Sequence, residues 1–329
     1  MENILTLAID HQPVVNLASQ QNDVPLVRSI TIQNGSSEPI RDLKIRLSCE
    51  PDLIVPWEAH VAVVEANALV SIGRFDITPS VSLLTQTHES IHGTLVVQAD
   101  VDDRPLATLR SPIEILAHNE WGGLRSLPEL LAAFVQPNDP NVQTVLVSAS
   151  EVLRESTGDP SLSGYQSGDR KRAWLQAGAV YEALRRLDLR YINPPASFEQ
   201  SGQKIRTPAQ VLEGRLGTCL DLAVLAASCL EQVGLYPVLI LVAGHAFAGC
   251  WLRDETFPEP VLDDPLTVLK RIDLDDLIVF DATALTARPW REFPQAITDG
   301  MNCLADRTKF SCTIDVRCAR RRRIRPLAV

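Results

Sequence analysis

Gly217-Thr218-Cys219-Leu220-Asp221-Leu222-Ala223 opens the stretch whose reading decides the fold of the chain's second half. From Thr218 to Val233 the sequence is apolar nearly all round, and it ends at Gly234, the composition of a buried central helix with a glycine stop. Thr218 is a good N-cap residue, so Cys219 falls in the first turn, where unpaired backbone N–H groups and the positive end of the helix dipole favour a thiolate. A cysteine there can equally be a small core residue. The segments beyond the helix decide between the two.

Downstream, residues 236–243 form a β-branched and leucine run of strand length, punctuated by Gly244. Residues 245–252 then read as a second strand with His245, Phe247 and Trp251 on one face. A third apolar strand, 277–280, delivers Asp281 at its end. Thiol, imidazole and carboxylate thus occur in the order Cys219, His245, Asp281, the three groups of an activated cysteine nucleophile. His245 is the only histidine after His118, so it has no competitor as base in this half. Asp263, Asp264, Asp275 and Asp276 lie in polar, proline-interrupted sequence expected to be a solvated loop, whereas the hydrophobic lead-in singles out Asp281. An acyl-transfer site also needs oxyanion donors; the Cys219 backbone N–H is one, and Gln200, Gln203 and Gln210 are side-chain candidates, none of them in a diagnostic motif.

The Gly-Thr-Cys helix start with Asp221 two residues on, the Gly-His-Ala-Phe strand start with its later tryptophan, and the strand-ending Phe-Asp-Ala-Thr together resemble the transglutaminase-like branch of the papain-type cysteine protease and transglutaminase superfamily. The resemblance covers roughly residues 165–305. It implies an α+β fold with Cys219 as nucleophile, His245 as general base and acid, Asp281 as orienting carboxylate, and a glutamine amide at the oxyanion. Leu189-Arg190-Tyr191-Ile192-Asn193-Pro194-Pro195 followed by Arg206-Thr207-Pro208-Ala209-Gln210 is similar, more narrowly, to a module near the front of very large bacterial helicase–nuclease proteins, several of them implicated in defence against phage. No GxxxxGK[ST] phosphate loop occurs in the sequence, so helicase chemistry is not expected within it.

The sequence holds 7 cysteines, an odd number without a CxxC pair, which fits reduced thiols in a cytoplasm better than a disulfide framework. With one histidine near the expected site and no second metal-type ligand at helical or strand spacing, neither a metal nor a cofactor is expected. The first residues lack a basic signal region, and no apolar run reaches the roughly 18 residues that span a bilayer, so a soluble chain away from membranes is expected. The net charge of -10 argues against a surface that wraps nucleic acid.

At 329 residues, 45% hydrophobic and 22% charged, the chain is long enough for more than one domain. Short strand-like runs recur at 4–9, 14–18, 26–33, 40–48, 60–64, 69–77, 91–99 and 106–115, which predicts an all-β immunoglobulin-like sandwich over residues 1–117. Nothing in it converges polar groups, so its expected role is that of a spacer or of a module that binds a protein partner. Residues 118–168 are expected as a helical connector with helices over 128–135 and 141–154, and a further helix is expected over 169–187 at the start of a catalytic domain, 169–310. The basic start of that helix, Arg170-Lys171-Arg172, reads as a solvated end or as a contact for an acidic partner. Residues 311–329 are expected as a basic tail leading to a further region, with Arg320, Arg321, Arg322 and Arg323 offering weak phosphate binding. The resulting expectation is a cysteine protease or amidase acting on a protein or peptide, with transamidation not separable from hydrolysis. The alternative is an inert recognition module that regulates attached helicase or nuclease domains.

Overall fold

The computed structural model describes residues 4–193 and 202–328. The protein is mixed α/β with several sheets and divides into two compact units, Met1–Gly122 and Gly123–Ala328.

The longer strands of the first unit are β1 (Leu5–His11), β2 (Val27–Asn34), β3 (Ile40–Glu50), β4 (Trp57–Val64), β5 (Leu69–Ile72), β6 (Ile91–Val101) and β7 (Arg104–Ile115). One antiparallel sheet runs β1-β2-β5. A second runs β7-β6-β3-β4, all antiparallel, with the short strand Val14–Val15 added in parallel beside β7. The period-2 alternation seen in the sequence puts Ile30 and Ile32 of β2, Leu43, Ile45 and Leu47 of β3, and Leu95, Val97 and Ala99 of β6 in the core. The strand expected over 14–18 stops at Val15. Asn16 instead caps helix α1 (Leu17–Gln21): its side chain accepts the Ser19 N–H at 2.7 Å while Ser19 Oγ accepts the Asn16 N–H at 3.1 Å. Reciprocal capping outweighs the β-preference of two valines. Likewise β5 ends at Ile72, and Ser80 caps a helix that the sequence pattern does not predict, α2 (Val81–Gln86).

In the second unit, helices α3 (Pro140–Thr157), α4 (Arg170–Arg185), α5 (Pro208–Gly214) and α6 (Cys219–Val233) come before most of the sheet. Its main strands are β8 (Pro237–Val242), β9 (His245–Trp251), β10 (Leu277–Phe280) and β11 (Phe310–Asp315), joined by helices α7 (Pro265–Asp273) and α8 (Phe293–Cys303) and followed by α9 (Val316–Arg321). The sheet is antiparallel throughout, in the order Val261–Leu262, β11, β8, β9, β10. Helix α6 packs on β8 and β9, while Trp251, Phe257, Val268, Leu277 and Leu304 join the core that the sheet shares with α7. Every residue of β8 and β10 is therefore buried, which is why those strands read as continuous apolar runs rather than as alternation.

Two of the expected boundaries do not hold. Residues 118–168 are not a connector: the 3₁₀ helix Pro128–Phe134 is largely buried, and α3 packs against α4, α5 and α6 within the second unit. Nor do residues 311–329 begin a tail, because β11 is paired with β8 and Asp315 caps α9 by accepting the Cys318 N–H at 2.8 Å. Arg320 is not available to phosphate. It makes a two-pronged ion pair with Glu231, 2.9 Å for each nitrogen, and donates to the carbonyls of Ala132 and Val135. Arg322 pairs with Glu259, and Arg321 donates to Thr256. At the start of α4, Arg170 pairs with Asp276 and Arg172 with Asp159, so this cluster meets acids of its own chain. Among the described residues no helix is long and apolar enough to cross a membrane.

Candidate active site

The loop before α6 is held by a buried carboxylate. Arg215 ends α5 in the left-handed region, φ 49°, and turns the chain into Leu216–Gly217. Thr218 then caps α6, its side chain accepting the Asp221 N–H at 3.2 Å, while Asp221 Oδ2 accepts the Thr218 N–H at 2.9 Å. Asp221 is fully buried, and its oxygens also take the backbone N–H of Arg206 at 2.8 Å and the Arg206 guanidinium at 2.9 Å. With all its hydrogen bonds committed to the loop, Asp221 fixes the position of Cys219, the first residue of the helix, whose backbone N–H has no acceptor within the helix.

His245 begins β9 immediately after Gly244, which takes φ 72° in the tight connection from β8. Its Nε2 lies 3.2 Å from Asp281 Oδ2. Asp281 follows β10 and caps a 3₁₀ turn: Oδ1 accepts the N–H and the hydroxyl of Thr283, each at 2.8 Å, which leaves Oδ2 to face the ring. The thiols of Cys219 and Cys303 lie near enough to the imidazole to favour its protonated form. Burial works against the imidazolium, but Asp281 and the two thiols outweigh it and raise the His245 pKa to about 12. For Asp281 burial again opposes the charge, and the His245 ring and Thr283 still hold the carboxyl below its ordinary value. At neutral pH the pair is therefore an ion pair, with the proton on His245 and Asp281 ionised.

Two side chains that the sequence pattern does not single out complete the cluster. Tyr191 sits in the short strand Arg190–Tyr191, parallel to Leu216–Gly217, with the Ile192 N–H bonded to the Gly217 carbonyl at 3.1 Å. Its hydroxyl donates to Asn193 Oδ1 at 3.5 Å, and burial followed by the Cys219 thiol pushes the phenol pKa up. Cys303 ends α8. Its sulfur, one His245 nitrogen and one Asp281 oxygen all lie within 4.8 Å of one another. Cys303 is a metal-type ligand that helical or strand spacing does not reveal, because it comes from a helix far along the chain. The only sequence trace of it is Gly300, one turn earlier, where an added Cβ would come within 2.8 Å of the Phe280 backbone, so glycine lets α8 lie against β10.

The glutamines fare differently. Gln200 lies outside the described residues. Gln210 spends its side-chain oxygen on the Thr207 N–H at 3.0 Å in the capping box of α5, and Gln203 lies in the short strand Gln203–Lys204 with its Oε1 buried and unpartnered. Neither hydrogen-bonds to Cys219, His245 or Asp281 among the described residues.

No protein-family model and no curated protein matches the sequence. Among solved structures the chain is similar to a "putative protease" from Parabacteroides distasonis, at 10% identity and a TM-score of 0.24. The match covers 66% of this chain and 40% of that one, so the chain spans less than half of that protein's length. A likeness this low carries no argument about fold or chemistry.

Proposed function

We propose that the second unit is a transglutaminase-like, papain-type cysteine acyl-transfer domain, a protease or amidase acting on a protein or peptide, and that the first is an immunoglobulin-like sandwich that binds a protein partner. The observation that carries this reading is the His245–Asp281 pair at 3.2 Å, set beside the thiol of Cys219 at the start of a buried helix. With Nε2 turned to Asp281, Nδ1 is left for the thiol. The Cys219 thiolate attacks an amide carbonyl, and the oxyanion takes hydrogen bonds from the Cys219 backbone N–H and the Tyr191 hydroxyl. As the C–N bond breaks, the His245 imidazolium gives its proton to the leaving amine. Water then attacks the thioester while His245 takes its proton, the C–S bond breaks, and the carboxylic acid leaves. Asp281 acts through His245, as a positioning residue. The sequence resemblance further supports placing this unit at the front of a larger bacterial protein.

Iodoacetamide labelling with peptide mapping tests the reading. Cys303 is more exposed than Cys219, so exposure alone favours Cys303. Labelling of Cys219 at least about tenfold faster than Cys303 is expected, and it should fall to the common rate in His245→Ala. Equal rates in the unaltered chain would replace the enzyme reading with that of an inert recognition module.

A further inference from the structure

His245, Asp281 and Cys303 form the one group of three or more His, Cys, Asp or Glu side chains with metal-ligand proximity among the described residues. They come from three elements, the start of β9, the end of β10 and the end of α8. We propose that these three side chains bind zinc, or another borderline-soft divalent ion of its kind, with one coordination position left open.

The donor set is what such an ion selects. Imidazole nitrogen and thiolate sulfur favour zinc over magnesium and calcium, which prefer all-oxygen shells; cysteine, histidine and aspartate are each zinc ligands, and three protein ligands with an open fourth position is the arrangement of catalytic zinc. The spacing fits as well. Bonds of about 2.0–2.3 Å in a tetrahedron put ligand atoms roughly 3.2–3.7 Å apart. The His245–Asp281 separation of 3.2 Å already matches that edge, and from the 4.8 Å limit of the cluster the sulfur needs to close by at most roughly 1.5 Å. The outer contacts are those of a ligand set: Thr283 holds Asp281 Oδ1 twice and so aims Oδ2, and the close contact of Gly300 with Phe280 fixes the helix that carries Cys303. All three side chains are only partly buried, so an ion has access from solvent.

Binding has a cost for acid–base work. Whichever ring nitrogen the ion takes, it uses a lone pair and excludes a proton that His245 needs for exchange with Cys219. Zinc is thus a reversible off-switch for the thiol. This consequence rests on the acyl-transfer reading, whereas the binding itself does not.

Cobalt(II), followed by zinc competition, tests the site on the full chain stripped with EDTA. Cobalt should produce thiolate-to-metal charge-transfer absorption and tetrahedral-type visible bands, which equimolar zinc removes. Cys303→Ser should abolish the charge-transfer band, and both Cys303→Ser and His245→Ala should weaken zinc by roughly a hundredfold or more, while Cys219→Ala keeps the bands. Circular dichroism identifies any variant that loses its fold, and Asp281→Asn, expected to weaken zinc by about tenfold, is the second probe of the same site. Absence of the charge-transfer band in the unaltered chain, or a band that survives in folded Cys303→Ser, overturns the proposal. If zinc binds through Cys303 but leaves rapid Cys219 labelling unchanged, the switch is refuted. If zinc binds but Cys219 is never faster than Cys303, the site stands and the acyl-transfer reading fails.

Discussion

The two units bury polar side chains for opposite purposes. In the first, Asn34 gives its amide hydrogens to the carbonyls of Glu38, Val64 and Glu65 and takes the N–H and hydroxyl of Ser36, so that one side chain ties two loops together. Asp100 is likewise occupied, by Arg46 and Gln98. In the second unit Asp221 is used in this way too, but only to present Cys219. Beside it His245, Asp281 and Cys303 bring a ring nitrogen, a carboxylate oxygen and a sulfur within 4.8 Å of one another at a partly buried point. A buried polar group whose every hydrogen bond is taken builds structure. One that keeps an open valence toward solvent is available for chemistry.

The contrast is testable in descending order of effect. Cys219→Ala should remove any amide-cleaving activity by at least about a thousandfold, and His245→Ala by nearly as much, while both keep native circular dichroism. Full turnover in folded Cys219→Ala would dissolve the distinction between the units. Asp221→Ala should cost about 3–5 kcal/mol in urea denaturation, because it strands two backbone N–H groups and the Arg206 guanidinium, and it should slow labelling of Cys219 as well. Asn34→Ala should cost about 1–3 kcal/mol with Cys219 labelling unchanged. A change in labelling there would mean that loop-locking in the first unit matters to the site. Gly300→Ala should cost about 1–3 kcal/mol by pushing α8 away from Phe280 and should weaken zinc through the displaced Cys303, without affecting rapid labelling at Cys219.

The smallest effect concerns acid. The Asp281 carboxyl titrates lower in the folded chain than an ordinary carboxyl, so its ionised form adds stability above the unfolded value, and that stability is lost as pH falls through the folded one. The unaltered chain should therefore lose more urea resistance than Asp281→Asn between about pH 5 and pH 3. Parallel losses in the two chains would show that the carboxylate gains nothing from its partners.

Local rules made much of the second unit legible. Thr218 before an apolar run and Gly234 after it bound α6 as read from the sequence, because caps and left-handed stops act over three or four residues. The same holds for 277–280, whose apolar continuity records burial on both faces. In the first unit the alternating strands were legible for the same reason; α1 was missed where the Asn16 cap overrode β-propensity, and α2, started by the Ser80 cap, lies in a stretch for which no element was expected. The tail assignment failed because a run of arginines looks solvated until Glu231 and the carbonyls of Ala132 and Val135, far off in sequence, are brought to Arg320. Sequence alone determined that a thiol opens a buried helix, that an imidazole starts one of the strands beyond it and that a carboxylate follows another, since each depends on near neighbours. Only the tertiary structure decided that Cys303 and Tyr191 join them. Helix α8 closes on β10 through the missing Cβ of Gly300, and Arg190–Tyr191 pairs with Leu216–Gly217; contacts of that kind join residues tens of positions apart and leave no periodic trace in the chain.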